Sequence, residues 1–262
     1  MDLYDVMRTT FAAREFTGEP LPDSALYRIL DNARFAPSGG NRQAVRIIVV
    51  RDQQTRDRLA ELSVPGAQRY VAQLGIGEAP WNPLRPSGVP AADIDSTEVP
   101  DTLIAPLRLA SVVLVMCLDL RYVAATDQDL GRIGVVSGGS VYPLVWNILL
   151  AARGEGYGGN LTTMVVPQEP QVKELLGIPD FCAVAALVAL GKPTRQITKL
   201  KRKSVEYAHA TERRELRSQL DERGFRWSAF DCAFEAHTKQ FVQRPAVANA
   251  FENPSREPHA PR

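Results

Sequence analysis

The stretch APSGGNRQAVRIIVV, Ala36 to Val50, joins a helical pattern to a strand pattern, and the fold turns on that junction. Ahead of it, Asp23 is placed to cap a helix, with Pro22 just before. Leu26, Ile29, Leu30 and Ala33 then recur at helical spacing until Pro37 stops the run. After it, Val45 to Val50 is short, continuous and β-branched, the mark of a buried strand. Between them, Ser38, Gly39, Gly40 and Asn41 are small enough for backbone N–H groups to converge on an anion. The Ser38 hydroxyl and the Asn41 and Gln43 amides add further donors. The same residues also suit an ordinary Pro-Ser-Gly-Gly turn, and the stretch alone does not separate the two readings.

Working outward, a first helix covers Leu3 to about Thr10, and Thr55 to Leu62 resembles a short amphipathic helix. From Gly75 to Pro106 the character changes. Prolines at 80, 83, 86, 90, 100 and 106 preclude a long regular element. Trp81, with Asn82 beside it, makes this excursion either a lid packed on something, and so a candidate to meet substrate, or a flexible loop. Ser111 to Leu118 reads as a second buried strand. A long helix follows from Ser140 to Arg153, with Pro143 in its first turn and Gly154 as its stop. Leu161 to Val166 and Ala183 to Leu190 complete four strands, separated by a short helix at Gln171 to Leu176. Strands and helices do not alternate regularly, so α+β is expected rather than a doubly wound sheet. One domain is expected over residues 1–210, with a C-terminal extension over 211–262 that is partly disordered.

The chain has 262 residues, 45% of them hydrophobic, and a net charge of +1. That charge makes no electrostatic case for nucleic acid or an anionic membrane. No apolar run reaches the roughly 18 residues of a spanning helix, and MDLYDVMRTTF lacks the layout of a signal peptide. A cytoplasmic enzyme is expected. Cys117, Cys182 and Cys232 show no CxxC spacing, and His209, His237 and His259 are far apart, so neither a disulfide framework nor a metal site is expected. Gly154, Gly156 and Gly159 satisfy G-x-G-x-x-G, but a helix precedes them and a strand follows. That reverses the order a dinucleotide-binding loop requires. A glycine helix stop is the plainer reading; close approach of backbone to a flat ligand is the sharper one.

Two basic segments remain, RTTFAAREF at Arg8 to Phe16 and KLKRK at Lys199 to Lys203. Each alone suits a solvated face; together with the donor-rich loop they could hold one phosphate. In this order the four segments resemble the FMN-dependent nitroreductase family. Arg14-Glu15-Phe16 matches the family's Arg-x-Phe. Ala36 to Gln43 matches its Ala-Pro-Ser and Gly-x-Asn-x-Gln loop. Asn147 to Arg153 matches its Asn-containing helix, and Gly156 to Thr162 its glycine-rich turn. Gly191-Lys192-Pro193 followed by Arg202 matches its end. The resemblance covers about residues 4 to 208. Departures are Thr10-Phe11-Ala12, where the family has two basic residues and a serine, and Ala44-Val45, where many members have Pro-Trp. Arg8 is a candidate replacement for the missing phosphate donors.

The resemblance implies a three-layer fold, a central, mostly antiparallel sheet flanked by helices, in an intertwined homodimer with two FMN molecules at the interface. It implies that Arg14 contacts the flavin and Arg202 its phosphate. Pro37, Ser38, Gly39, Asn41 and Gln43 line the cofactor loop, with Ser38 and Asn41 reaching the other subunit's flavin. Backbone N–H groups of Gly159, Asn160, Leu161 and Thr162 lie near the ring. The implied reaction is ping-pong: NADH or NADPH reduces FMN and leaves, and a nitroaromatic, quinone or similar electrophile takes its place. No catalytic side chain is expected, because the cofactor carries the hard step. The alternatives are FMN-dependent dehydrogenation or dehalogenation of a specific metabolite, and flavin binding without turnover.

Overall fold

The computed structural model describes residues 1–202. The chain divides into a unit of Met1–Leu200 and a second beginning at Lys201. The expected boundary near residue 210 and the extension from 211 to 262 lie outside the described residues, as do Cys232 and the three histidines. In chain order the elements are α1 (Leu3–Thr9), α2 (Asp23–Ala33), β1 (Val45–Val50), α3 (Gln53–Gly75), α4 (Ala91–Asp95), α5 (Asp101–Leu109), β2 (Val112–Asp119), α6 (Tyr142–Gly154), β3 (Gly158–Thr162), α7 (Glu169–Leu176) and β4 (Cys182–Gly191). The strands form one sheet in the order β1-β2-β4-β3, antiparallel throughout.

Every residue of β2 is buried, and alternation along the strand sorts them into two cores. Val112, Leu114, Met116 and Leu118 pack with buried residues of α2 and α6. Val113, Val115 and Cys117 pack with those of α3, α5 and α7. A bulge opposite Met116 and Cys117 leaves Ala185 of β4 without a cross-strand partner. The result is a three-layer α+β fold with helices on both faces. Burial pushes the Cys117 thiol up to about 11, so it is neutral at physiological pH and no nucleophile.

Several elements differ from their sequence readings, each for a physical reason. Asp23 is the first residue of α2 rather than its cap. Pro22 holds the cap position with no side-chain bond, and the Asp23 carboxylate pairs with Arg51 at 2.7 Å. α2 ends at Ala33, four residues before Pro37. The short helix expected at Thr55 to Leu62 is a 23-residue helix that runs through Pro65. An interior proline costs about 3 kcal/mol. Burying a leucine returns roughly 1.5–3 kcal/mol, so Leu59 and Leu62 on the buried face offset it. β3 stops at Thr162 instead of Val166, because the Thr162 hydroxyl accepts from the Met164 N–H and turns the chain.

The proline-rich excursion is packed. Gln68 of α3 donates through Nε2 to the Asp95 and Thr97 carbonyls at 2.8 and 3.3 Å. Glu78 accepts from Gly88 N at 2.6 Å and from the Ser87 hydroxyl at 2.8 Å, which holds its carboxyl below the usual range. Buried Gln73 accepts from Trp81 N at 3.0 Å, and the Arg69 guanidinium lies 3.8 Å from the centre of the Trp81 ring.

Candidate functional site

α6 ends in a Schellman motif. Gly156 (φ 81°) donates to Arg153 O at 3.1 Å, and Tyr157 N donates to Ala152 O at 2.8 Å. The chain reverses there into β3, an edge strand. A methyl group on Gly159 would collide with the Ala189 carbonyl oxygen and lie 2.6 Å from Leu190 Cδ2 and 3.3 Å from Leu149 Cδ2. The glycine is required by the sheet and by α6. The room a side chain would need at this position is filled by the chain itself.

Ligand access to β3 is along its outer edge. Ala13 N donates to Gly159 O at 3.0 Å, so the Gly159 carbonyl points outward. By strand alternation the Leu161 N–H points outward too, and no further strand lies beyond it among the described residues. Arg14, next to Ala13, is exposed and makes no ion pair among the described residues. Asn160 is buried, and its Oδ1 has no hydrogen-bond partner among the described residues. An acceptor left in that state costs roughly 1–3 kcal/mol. A cation and an open backbone donor thus occupy one strand edge, with a buried amide oxygen behind them.

At residues 10–12 the substituted segment offers little. Buried Thr10 spends its hydroxyl on Val6 O at 2.7 Å, and Phe11 packs against the core. Arg8 lies 5.8 Å from the centre of the Tyr4 ring. Two residues not assigned to the site from sequence converge nearby. Arg153 Nε donates to the Thr9 hydroxyl, and Gln196 Nε2 to the Thr9 carbonyl, each at 3.1 Å. The first stood at the end of the matched Asn147–Arg153 segment, in a last helical turn, with no site role attached; the second had no signal.

The Pro37–Gln43 loop is a tight turn closed on itself. Asn41 N donates to Ser38 O at 2.9 Å, Gln43 N to Ser38 Oγ at 3.0 Å, and Gln43 Nε2 to Asn41 Oδ1 at 3.2 Å. Gly40, Asn41 and Gln43 all have positive φ. For a long side chain such as Gln43 that conformation costs roughly 1–2 kcal/mol. Ser38 and Gln43 also line a cavity of about 470 Å³, bordered by Arg34, Arg42 and Ser140. Gly39 N lies 3.4 Å from Ser140 Oγ. Ser140 is carried by a turn that Asp127 organises. Its Oδ2 accepts from Val135 N (2.7 Å), Arg132 Nη1 (2.9 Å) and Val136 N (3.3 Å), and these donors hold the carboxyl below its ordinary range. An aspartate inside a loop carries no sequence signal for such a role.

The structure brings Arg14 to Gly159–Thr162, and it keeps both away from the loop. Val45, where the loop enters the sheet, is level with Leu118 and Ala183, whereas Asn160 is level with Ala189, Val113 and Val50. Five residues along and three strands across place Val45 roughly 20 Å from Asn160. β2, between them, is covered on both faces. Trp81 and Asn82 serve the excursion: the ring lies over Arg69, and Asn82 Oδ1 accepts from Leu84 N at 2.8 Å. Arg202 is exposed and donates to the Lys201 carbonyl at 2.8 Å.

A family model described as the Nitroreductase family matches residues 7–192. The chain is 32% identical over 183 residues to an NADH dehydrogenase of Thermus thermophilus, covering 70% of this chain and 82% of that protein. It is 28% identical over 187 residues to an NADPH-flavin oxidoreductase of Vibrio harveyi, covering 69% of this chain and 61% of that one. Among solved structures, the NADPH:FMN oxidoreductase of Vibrio harveyi complexed with NAD+ superposes with a TM-score of 0.56 at 18% identity, covering 93% and 92% of the two chains. Iodotyrosine deiodinase bound to FMN and 3-iodo-L-tyrosine gives 0.56 at 20% identity, covering 78% and 96%. At such identities the structures share the fold. With a family match that spans most of its length, the chain belongs to the nitroreductase family.

Proposed function

We propose that this protein, an FMN-dependent oxidoreductase by its family, takes electrons from NADH or NADPH and delivers them to a nitroaromatic, quinone or similar electrophile, donor and acceptor using one site in turn. The observation that carries the reading is the outer edge of β3. Arg14 and the outward Leu161 N–H offer a cation and a donor to a flat polar ring. When bound there, FMN supplies the two-electron chemistry. Arg14 favours whichever redox form of the ligand carries more negative charge, by Coulomb attraction. The Leu161 N–H fixes the ring's orientation. Arg202, at the end of the described chain, is the proposed phosphate ligand; within the first unit, Arg153 holds the Thr9 hydroxyl and Gln196 the Thr9 carbonyl.

The separation of the two half-sites supports a homodimer. One chain's Ser38–Gln43 loop and β3 edge lie at opposite edges of a covered sheet, so the loop is suited to a flavin held by a second copy. Tyr4 and Met7 of α1, Tyr27 of α2, and Tyr142 and Trp146 of α6 are exposed apolar side chains on the helices of one layer. Such surfaces mark interfaces. A cytoplasmic setting is consistent with two free, buried cysteines. The test is an absorbance spectrum of the purified protein, then anaerobic titration with each nicotinamide. A flavin spectrum bleached by NADH or NADPH is expected. A colourless protein that takes up no FMN sinks the proposal, and a bound flavin that neither donor reduces points to a dehydrogenase or dehalogenase.

A further inference from the structure

We infer that the 470 Å³ cavity beside the Pro37–Gln43 loop is a subsite for an aromatic anion, a flat apolar body carrying a carboxylate or phosphate. This rests on the reading above, since it is the proposed approach of that loop to a flavin that places the cavity beside the reacting groups.

The lining has two kinds of wall. Leu30, Ile47 and Leu144 are half-buried members of the α2–α6 core and form the inner, apolar side. Arg34 and Arg42 are exposed, and with the Ser38 and Ser140 hydroxyls they form the polar side. No aspartate or glutamate among the described residues lines the cavity. The Arg42 guanidinium is held by its Nη1 bond to Gly39 O at 3.0 Å and forms no ion pair among the described residues. Arg34 spends only Nε on Asp31, at 2.7 Å. A guanidinium has five N–H donors in a planar fork, so both arginines keep donors in the geometry that matches a carboxylate or phosphate.

Arg46, also in the lining, donates through Nη1 to Gln43 O at 3.0 Å and adds a third positive charge. It borders the cavity of about 390 Å³ on the other face as well, where Asp119 shares its field. The uncompensated charge is therefore that of Arg42, while Arg34, paired with Asp31 through Nε alone, adds free donors. Excess positive charge against an apolar wall selects an anion with an apolar body, and the volume lies within the range of pockets for whole organic ligands rather than bare ions. The ligand is either an acidic electron acceptor or the phosphate-bearing end of the nicotinamide donor.

The experiment is equilibrium binding to the oxidised, FMN-loaded full-length protein, with 4-nitrobenzoate against nitrobenzene and NADPH against NADH. Arg34→Gln and Arg42→Gln should each weaken 4-nitrobenzoate about tenfold, as loss of a charge-assisted bond requires. Nitrobenzene should stay within about twofold, and Arg34→Lys should recover much of the loss. Added salt should weaken the anion alone. A loss confined to NADPH relative to NADH also upholds the subsite and assigns it to the donor's phosphate. Equal losses for charged and neutral ligands in variants with wild-type melting curves, or no loss for any anion, overturn it. Binding needs no turnover. A protein that binds 4-nitrobenzoate through these arginines yet is reduced by neither nicotinamide would defeat the proposed reaction and leave the subsite standing.

Discussion

Gly39-Gly40 and Gly158-Gly159 are the same dipeptide put to opposite uses. At Gly40 the requirement is conformational: φ is 58°, and what an added methyl would meet is the Arg42 guanidinium, the end of a flexible side chain. At Gly39 the nearest atom would be Ser140 Oγ at 3.5 Å, an ordinary contact. Gly159 has no such latitude, because backbone and side-chain atoms of β4 and α6 already occupy the place of its Cβ. The loop glycines shape a turn that faces a cavity. The strand glycine lets a helix and a sheet close on each other, and in doing so presents an outward backbone edge. A glycine pair near a cofactor site is thus not evidence that the ligand needs the room.

The most forceful way to break this comparison is Gly159→Ala. Overpacking against a rigid carbonyl should cost about 3 kcal/mol, read as a lower denaturant midpoint. An unchanged midpoint would mean the two pairs are equivalent after all. Next in size, Arg14→Ala and Arg202→Ala should each weaken FMN binding by roughly 1–3 kcal/mol, measured by fluorescence titration. The midpoint of the FMN-free Arg14 variant should not move, which separates binding at the strand edge from packing behind it. Unchanged FMN affinity in both variants would remove these residues from the site.

Smaller effects belong to the loop. Gly40→Ala should destabilise by about 1 kcal/mol, the cost of a left-handed residue with a Cβ, whereas Gly39→Ala should stay within about 0.5 kcal/mol. Reversal of that order would show that space, not φ, governs the turn. The smallest expected effect is local. Asp127 has its carboxyl depressed by the Val135 and Val136 N–H groups and Arg132. Its contribution is therefore present above the ordinary carboxylate value of about 4 and is lost as pH falls through the lower folded value. Amide exchange over residues 127–140 should rise only in that acid range while β3 stays protected. Asp127→Asn should loosen the same residues at neutral pH.

Much of the fold was legible because it rests on local patterns. Four strands, the α+β class and the helix stop before β3 all follow from periodicity and glycine placement, which act within a few residues. Errors fell where a distant partner decides. Pro65 stays helical because Leu59 and Leu62 are buried against other elements, and Asp23 leaves its cap for Arg51. Of the candidate site, Arg14 and Gly159–Thr162, singled out from the sequence separately, lie together at one strand edge, while Gln196, Asp127 and Ser140 gave little or no sign, since each acts on residues far along the chain.

The Ala36–Val50 stretch by itself determined that a helix gives way to a turn with left-handed residues and then to a β-branched strand, because steric limits on φ and β-branching are properties of the residues themselves. It left open whether that turn was a site. Only the tertiary structure decided that the turn borders a cavity with two arginines and two serines, and that it stands at the opposite edge of the sheet from Arg14 and β3. Strand order and the burial of β2 are set by packing among segments distant in sequence, and those long-range contacts are what separate the loop from the β3 edge.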